Sequence, residues 1–222
     1  MNVHQEPVLE PLGIGIARIA VSQIDPKVIE VAYYGCAQDG GSQEAVRQRE
    51  YRSDTAIQLP GEFSLKDAGL DVSVTRSSDY SFKISVFRND VLFAQGLGLT
   101  DPDDPVAIMV AWWTGDIEPY GVVKYSIRDP QTIVGYYISK MTPGEPGEDI
   151  AIGDTGGGFQ GDYVLNSQEV NGRTWGPHVW SLSRRGAVTD LAWEENGRVF
   201  CRGIGMPDPR DSSSIIGTYI AL

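Results

Sequence analysis

The chain has 222 residues, with 30 acidic against 18 basic side chains and a formal charge of −12. That length suits one large domain or two small ones and excludes a disulfide-stapled miniprotein, while 41% apolar and 22% charged residues exclude global disorder. The acidic balance argues against nonspecific nucleic-acid binding, which draws its free energy from Lys and Arg neutralising phosphates; basic pairs such as Arg184-Arg185 are too short to form a stripe.

The 26 Gly, 13 Pro, 10 Tyr and 5 Trp, with few long helix-forming stretches, point to an all-β chain with many turns. The opening residues 1–7 lack the basic-then-apolar order of a secretory leader, and the longest apolar run, 106–113, is far short of a membrane span. The two cysteines, Cys36 and Cys201, form no CxxC pair and no metal-ligand spacing. The expectation is a cytoplasmic protein with reduced thiols, no cofactor, no metal, no membrane and no nucleic acid partner; the oligomeric state is open.

In chain order, strands are expected on either side of the Asp25-Pro26 turn, then a short helix over 44–51 within a long connector. Strands follow at Gly61-Glu62-Phe63, at Leu70-Asp71-Val72-Ser73-Val74 and at Tyr80-Ser81-Phe82-Lys83-Ile84-Ser85-Val86, where alternation is clear. The Asn89-Asp90 turn leads to Val91 and on to Gly96-Leu97-Gly98-Leu99-Thr100-Asp101-Pro102-Asp103-Asp104. The same order then recurs: Asp129-Pro130, Gly161-Asp162-Tyr163, His178-Val179-Trp180-Ser181-Leu182, Asn196-Gly197, and Gly203-Ile204-Gly205-Met206-Pro207-Asp208-Pro209-Arg210-Asp211. Residues 140–160, rich in Pro, Gly and Glu, read as loop, and the glycine-rich 153–161 lacks the Lys-Ser/Thr of a phosphate-binding loop.

The chain is therefore two copies of one unit, 13–113 and 121–222, each of about seven strands. The register suggests a permuted closure. One barrel-like lobe would be continuous over 61–140, and the second, 158–222, would be closed by N-terminal strands from 13–36, placing Cys36 and Cys201 in one lobe. A single larger pseudo-twofold barrel is the rival arrangement.

Comparing the copies isolates candidate site residues, because a polar group at a core-facing position needs a partner. His178 aligns with Leu70, Thr189 with Phe82, and Arg202 with Gln95 on the face that carries Phe200, Ile204 and Met206. The second copy thus offers His178, Arg202 and Thr189 amid Trp180, Trp193, Phe200 and Tyr219, the apolar cavity with few polar groups that suits a small molecule. Trp175, in the inserted loop 171–177 beside His178, is a lid or a packing residue. Arg202 could equally pair with Asp190 or Glu194, and His178 could simply close a strand end. Asp101, Asp103, Asp104, Asp208 and Asp211 read as turn formers, with calcium as the alternative.

The Gly-x-Phe/Tyr openings at Gly61-Glu62-Phe63 and Gly161-Asp162-Tyr163, followed by hairpin-linked strands, resemble the calycin group of lipocalin- and avidin-type barrels, with Phe63 and Tyr163 where the lipocalin opening carries Trp. The resemblance implies a β-barrel carrier of apolar ligands, and related barrels include cyclases. The expected function is binding of a small, largely apolar ligand, with Trp175, Trp180, Thr189, Trp193, Phe200 and Tyr219 lining the cavity and His178 and Arg202 orienting the ligand. The alternatives are an isomerase or cyclase in the same cavity, with His178 as acid/base and Arg202 stabilising negative charge, and an acidic protein-interaction module.

Overall fold

The computed structural model describes residues 13–35, 46–114, 116 and 118–222. The chain is all-β and forms two barrel-like lobes. The first holds β1 (Ile14–Val21), β2 (Val28–Gly35), β3 (Arg47–Arg52), β4 (Gly61–Leu65), β5 (Leu70–Arg76), β6 (Ser81–Arg88), β7 (Val91–Asp101) and β8 (Asp104–Trp113), in the order β3-β2-β1-β8-β7-β6-β5-β4. The second holds β9 (Gly121–Asp129), β10 (Thr132–Ser139), β11 (Thr142–Ile152), β12 (Gly161–Gln168), β13 (Thr174–Arg185), β14 (Val188–Glu195), β15 (Arg198–Asp208) and β16 (Asp211–Ala221), closed into a barrel in which β9 pairs with both β10 and β16. The two lobes share one antiparallel meander. They differ at one seam: β11 pairs with β12, whereas the first lobe ends at β3 and β4, with β3 lying against the 3₁₀ turn Lys66–Ala68.

The turn residues act as their chemistry dictates. Asn89 and Asp90 take φ of 51° and 61°, and Asn196 and Gly197 take 53° and 77°, the left-handed pair that a two-residue hairpin needs. Asp25 and Asp129 each accept a hydrogen bond at 2.9 Å from the backbone N–H two residues on, at Lys27 and Gln131.

Three expectations need correction. The N-terminal strands do not close the second lobe. β1 pairs with β2 and β8 from Ile14↔Trp113 to Ala20↔Ala107, and the barrel closes on its own β9. The reason lies in the second correction: the segment read as loop contains β11, so among the described residues each copy has eight strands and the second copy needs none from the first. Third, the described part of the expected helix 44–51 belongs to β3, whose residues pair with β2 from Val28↔Arg52 to Tyr33↔Arg47. Cys36 lies outside the described residues. Among the described residues no helix is long and apolar enough to cross a membrane.

Apolar residues form three clusters. One fills the barrel around Tyr125, Trp180, Leu182 and Leu191. A second lies in the concavity of the first lobe around Phe63, Val72, Phe82 and Val110. The third is the seam between the lobes, where Ile14, Ile16, Leu99, Met109, Ile204, Met206 and Ile216 are each 1% exposed or less. At about 1.5–3 kcal/mol for each large apolar side chain buried, this seam is the main attraction between the lobes.

The seam also contains a buried ionic cluster with the symmetry of the repeat. Arg18 on β1 and Lys124 on β9 hold equivalent places, opposite Ala32 and Tyr136. Arg18 Nε donates to Asp101 Oδ2 at 3.0 Å and lies 3.8 Å from Asp208. Lys124 Nζ stands 2.9 Å from both Asp101 Oδ1 and Asp208 Oδ2. Each cation therefore bridges the repeat-related pair Asp101 and Asp208, and Asp104 receives Arg18 at 2.6 Å and Arg210 at 2.8 Å. The carboxylates first read as turn formers do accept turn N–H groups, from Asp103 and Arg210, but Asp101 and Asp208 are also committed to cations. Coulomb attraction here is largely offset by the desolvation of the ions, so the apolar seam carries the net stability.

Candidate functional site

At one end of the closed barrel lies a cavity of about 570 Å³, within the range of small-molecule sites. Its walls are aromatic: Tyr120, Tyr125, Tyr137, Trp193, Phe200 and Tyr219 line it. Ring contacts run from Tyr120 to Tyr219 (5.8 Å between centroids), Tyr219 to Trp193 (5.3 Å), Trp193 to Trp180 (6.1 Å) and Trp180 to Tyr125 (4.3 Å). Small residues on the inner face of the strands make room for these rings. A Cβ on Gly203 would lie 3.0 Å from Tyr219 and 3.2 Å from Trp193.

The polar centre of the cavity is Asp149, on β11, 5% exposed. Tyr125 Oη donates to Asp149 Oδ2 at 2.6 Å. Gly135, opposite Asp149 on β10, permits this contact: a Cβ there would lie 2.5 Å from the Tyr125 ring and 2.8 Å from Asp149 Cβ. Burial pushes the Asp149 carboxyl up to about 6, and the neighbouring Ser167 and Tyr125 hydroxyls oppose this only in part. Burial likewise raises Tyr125 and Tyr219 well above the ordinary phenol value, so both remain neutral donors. Cys201, buried at the wall, donates to the Ile220 carbonyl at 2.8 Å, and desolvation lifts its thiol to about 12, which leaves it inert.

His178 lines the cavity, its ring edge-on to Phe200 at 5.0 Å. Its Nδ1 lies 3.8 Å from Glu195, beyond hydrogen-bond reach. Among the described residues, the buried side-chain polar atoms with no hydrogen-bond partner are Asp149 Oδ1, His178 Nδ1 and Trp180 Nε1. All three belong to this barrel.

The expected site residues separate into two groups. His178, Trp175, Trp193, Phe200 and Tyr219 meet around the cavity. Trp180 lies beneath it, fully buried against Tyr125 and Trp193. Trp175 sits at the mouth, its Nε1 donating to Glu169 at 3.0 Å and Arg173 stacked on its ring at 3.8 Å. Thr189 is buried four residues along β14 from Trp193, roughly 13 Å at strand rise, and does not line the cavity. Arg202 is misplaced outright. It shares the outer face of β15 with Ile204 and Met206, which pack on the first lobe, while Cys201, Gly203 and Gly205 face inward. Because β15 is buried on both faces, large residues mark the seam and small ones the barrel interior. Asp190, a suggested partner of Arg202, holds Arg185 at 2.9 Å.

Sequence reasoning missed Asp149 and Tyr125. On β11 the usual pattern is inverted: Gly147, Asp149 and Ala151 are buried, while Ile150 and Ile152 are 42% and 49% exposed. The usable signal was the repeat itself, since the hairpin after Asp129-Pro130 demands a third strand. No family model, curated protein or solved structure matches the chain. An eight-stranded barrel alone assigns neither a family nor an activity.

Proposed function

We propose that the closed barrel binds a small, largely apolar molecule whose polar end meets Asp149, Tyr125 and His178. The observation that carries this reading is the concentration of unpartnered buried polar atoms, Asp149 Oδ1 and His178 Nδ1, in an aromatic-walled cavity. The large majority of buried polar side-chain atoms are satisfied, and a ligand hydroxyl or amide N–H would satisfy a carboxylate oxygen there. Native mass spectrometry against the denatured mass, with tryptophan fluorescence during titration of flat apolar alcohols and amides, tests it. Binding by the wild type and by Arg202→Gln, with loss in Asp149→Leu, supports the reading. No retained molecule and no fluorescence response, or equal binding by all three proteins, overturns it.

A second reading, an isomerase or cyclase acting on such a ligand, is favoured by one feature. A carboxyl that titrates at about 6 can take a proton from the bound molecule near neutral pH and return it at another position. Tyr125 would hold the carboxylate in place. The proton lost and the proton gained balance, and the aromatic walls would fix the reactive conformer. Asp149→Asn, which still accepts from Tyr125, separates the readings: turnover falls at least a hundredfold while binding persists if this second reading holds.

A further inference from the structure

We infer that the first lobe carries a second ligand site, for an amphipathic anion: a free molecule with an extended apolar body and a carboxylate or phosphate head. The concave face of the first sheet encloses a cavity of about 780 Å³. Its floor and walls are apolar, with Ile19, Val31, Tyr33, Phe63, Val86 and Trp112 among them. Among the described residues, its charged lining is Arg47, Arg49, Arg88 and a single acid, Asp67.

This charge pattern runs against the molecule, which carries −12 overall. On β3, Arg47, Arg49 and Tyr51 alternate on one face, opposite Tyr33, Val31 and Ile29 of β2, and this face turns into the concavity. Both arginines are exposed, and among the described residues neither is committed to an ion pair. Arg88 lies over the Phe93 ring at 4.3 Å at the same rim. Planar guanidinium groups suit bidentate binding of carboxylate or phosphate, and the apolar surface beneath them suits a chain about the length of the lobe. The barrel cavity is the electrostatic opposite, because the strand position of Arg49 is there occupied by Asp149. The inference therefore does not depend on what the barrel binds.

The test is titration of the full chain, followed by tryptophan fluorescence and by calorimetry, with dodecanoate, dodecyl phosphate, 1-dodecanol and dodecylammonium below their micellar concentrations. At least tenfold tighter binding of the two anions than of the alcohol, with weak or no binding of the cation, is expected. The double variant Arg47→Glu/Arg49→Glu, checked by its melting curve, is expected to lose the anions at least tenfold and to gain the ammonium; a variant that fails to fold is replaced by Arg49→Gln, with a loss of at least threefold expected. Asp149→Leu is expected to bind dodecanoate like the wild type. Equal affinity for alcohol and anion, unchanged binding in the arginine variants, or loss in Asp149→Leu overturns the assignment. A lipid-surface site is distinguished by sedimentation with phosphatidylglycerol vesicles: co-sedimentation without binding of monomeric dodecanoate overturns the free-ligand site.

Discussion

Arg49 and Asp149 occupy the same place in the two halves of the molecule. Tyr33 and Tyr137 are repeat-related, and two residues before them stand Val31 and Gly135; Arg49 pairs across from Val31, and Asp149 across from Gly135. The cation is exposed and the carboxylate is 5% exposed. The cause is the one seam at which the lobes differ, since pairing of β12 with β11 places Ser167 beside Asp149, whereas β4 does not pair with β3. One duplicated meander thus presents two cavities of opposite polarity, and the closed one desolvates its charge.

That desolvation makes stability depend on pH with a definite sign. Burial raises the folded-state carboxyl of Asp149 to about 6, above the ordinary carboxyl value of 3.8. Below about pH 4 it is protonated in both folded and unfolded chains, and its contribution to stability is complete. Between about pH 4 and pH 6 the unfolded chain releases the proton and the folded chain does not, so stability falls as pH rises and levels off above the folded value. A gap of about two pH units corresponds to about 3 kcal/mol. Asp149→Asn is accordingly expected to be more stable than the wild type by up to about 3 kcal/mol at pH 8, with the difference vanishing near pH 4. Urea unfolding at the two pH values measures it, and a difference that does not change with pH sinks the claim.

The ionic cluster at the seam predicts a contrast between buried and exposed pairs. Lys124 is 3% exposed and is surrounded by Asp101, Asp103 and Asp208. Lys124→Met leaves two buried carboxylates with one cation fewer, and a loss of about 3–5 kcal/mol is expected. Arg52 pairs with Asp25 at 2.8 Å in the open, with side-chain exposure of 62%, and Arg52→Ala is expected to leave stability nearly unchanged. Chemical denaturation of both variants at low and high salt checks the contrast, with salt dependence expected only for the exposed pair.

The repeat, the strand content and the turns were legible because each rests on local chemistry: alternation in Ser81–Arg88, left-handed residues at Asn89-Asp90 and Asn196-Gly197, aspartate turns at Asp25 and Asp129. His178 and the aromatics around it were legible because the first copy supplied an apolar reference, Leu70. What failed has two physical sources. Strands at the seam are buried on both faces, so hydrophobicity does not say which face is inward, and the large-residue face that Arg202 shares with Ile204 and Met206 reads as inward when these three face outward. β11 hid the polar centre of the site for another reason: its isoleucines face solvent, 42% and 49% exposed, while Asp149 faces inward, so the apolar positions mark the outside.

The outward placement of Arg202 has a direct consequence. Arg202→Gln is expected to leave binding in the barrel within about twofold of the wild type, because the residue lies on the other side of the wall from Trp193 and Tyr219. His178→Leu, which installs the residue type of the first copy, is expected to fold and to weaken binding of any ligand that accepts or donates at its ring, by roughly tenfold for one lost hydrogen bond. Titration of the two variants side by side with one barrel ligand decides this, and a loss confined to Arg202→Gln would return that residue to the site.

Gly135 offers the sharpest test of how the barrel builds its polar centre. The Tyr125 ring crosses the space a side chain would fill, with its Cε1 2.5 Å and its Cδ1 2.8 Å from the position of a Cβ. Gly135→Ala must push the ring aside, and the ring cannot move without breaking the 2.6 Å hydrogen bond to Asp149. Overpacking of this kind costs about 1–3 kcal/mol. A buried carboxylate without its donor is costlier still, so the variant is expected to be destabilised more at pH 8 than at pH 4, where Asp149 is protonated. Pairing Gly135→Ala with Tyr125→Phe in a double-mutant cycle isolates the effect. With the hydroxyl already absent, the alanine is expected to lose its pH-dependent component and keep only its steric one. A pH-dependent cost that survives in the Tyr125→Phe background would show that Gly135 acts through some contact other than the tyrosine–aspartate pair.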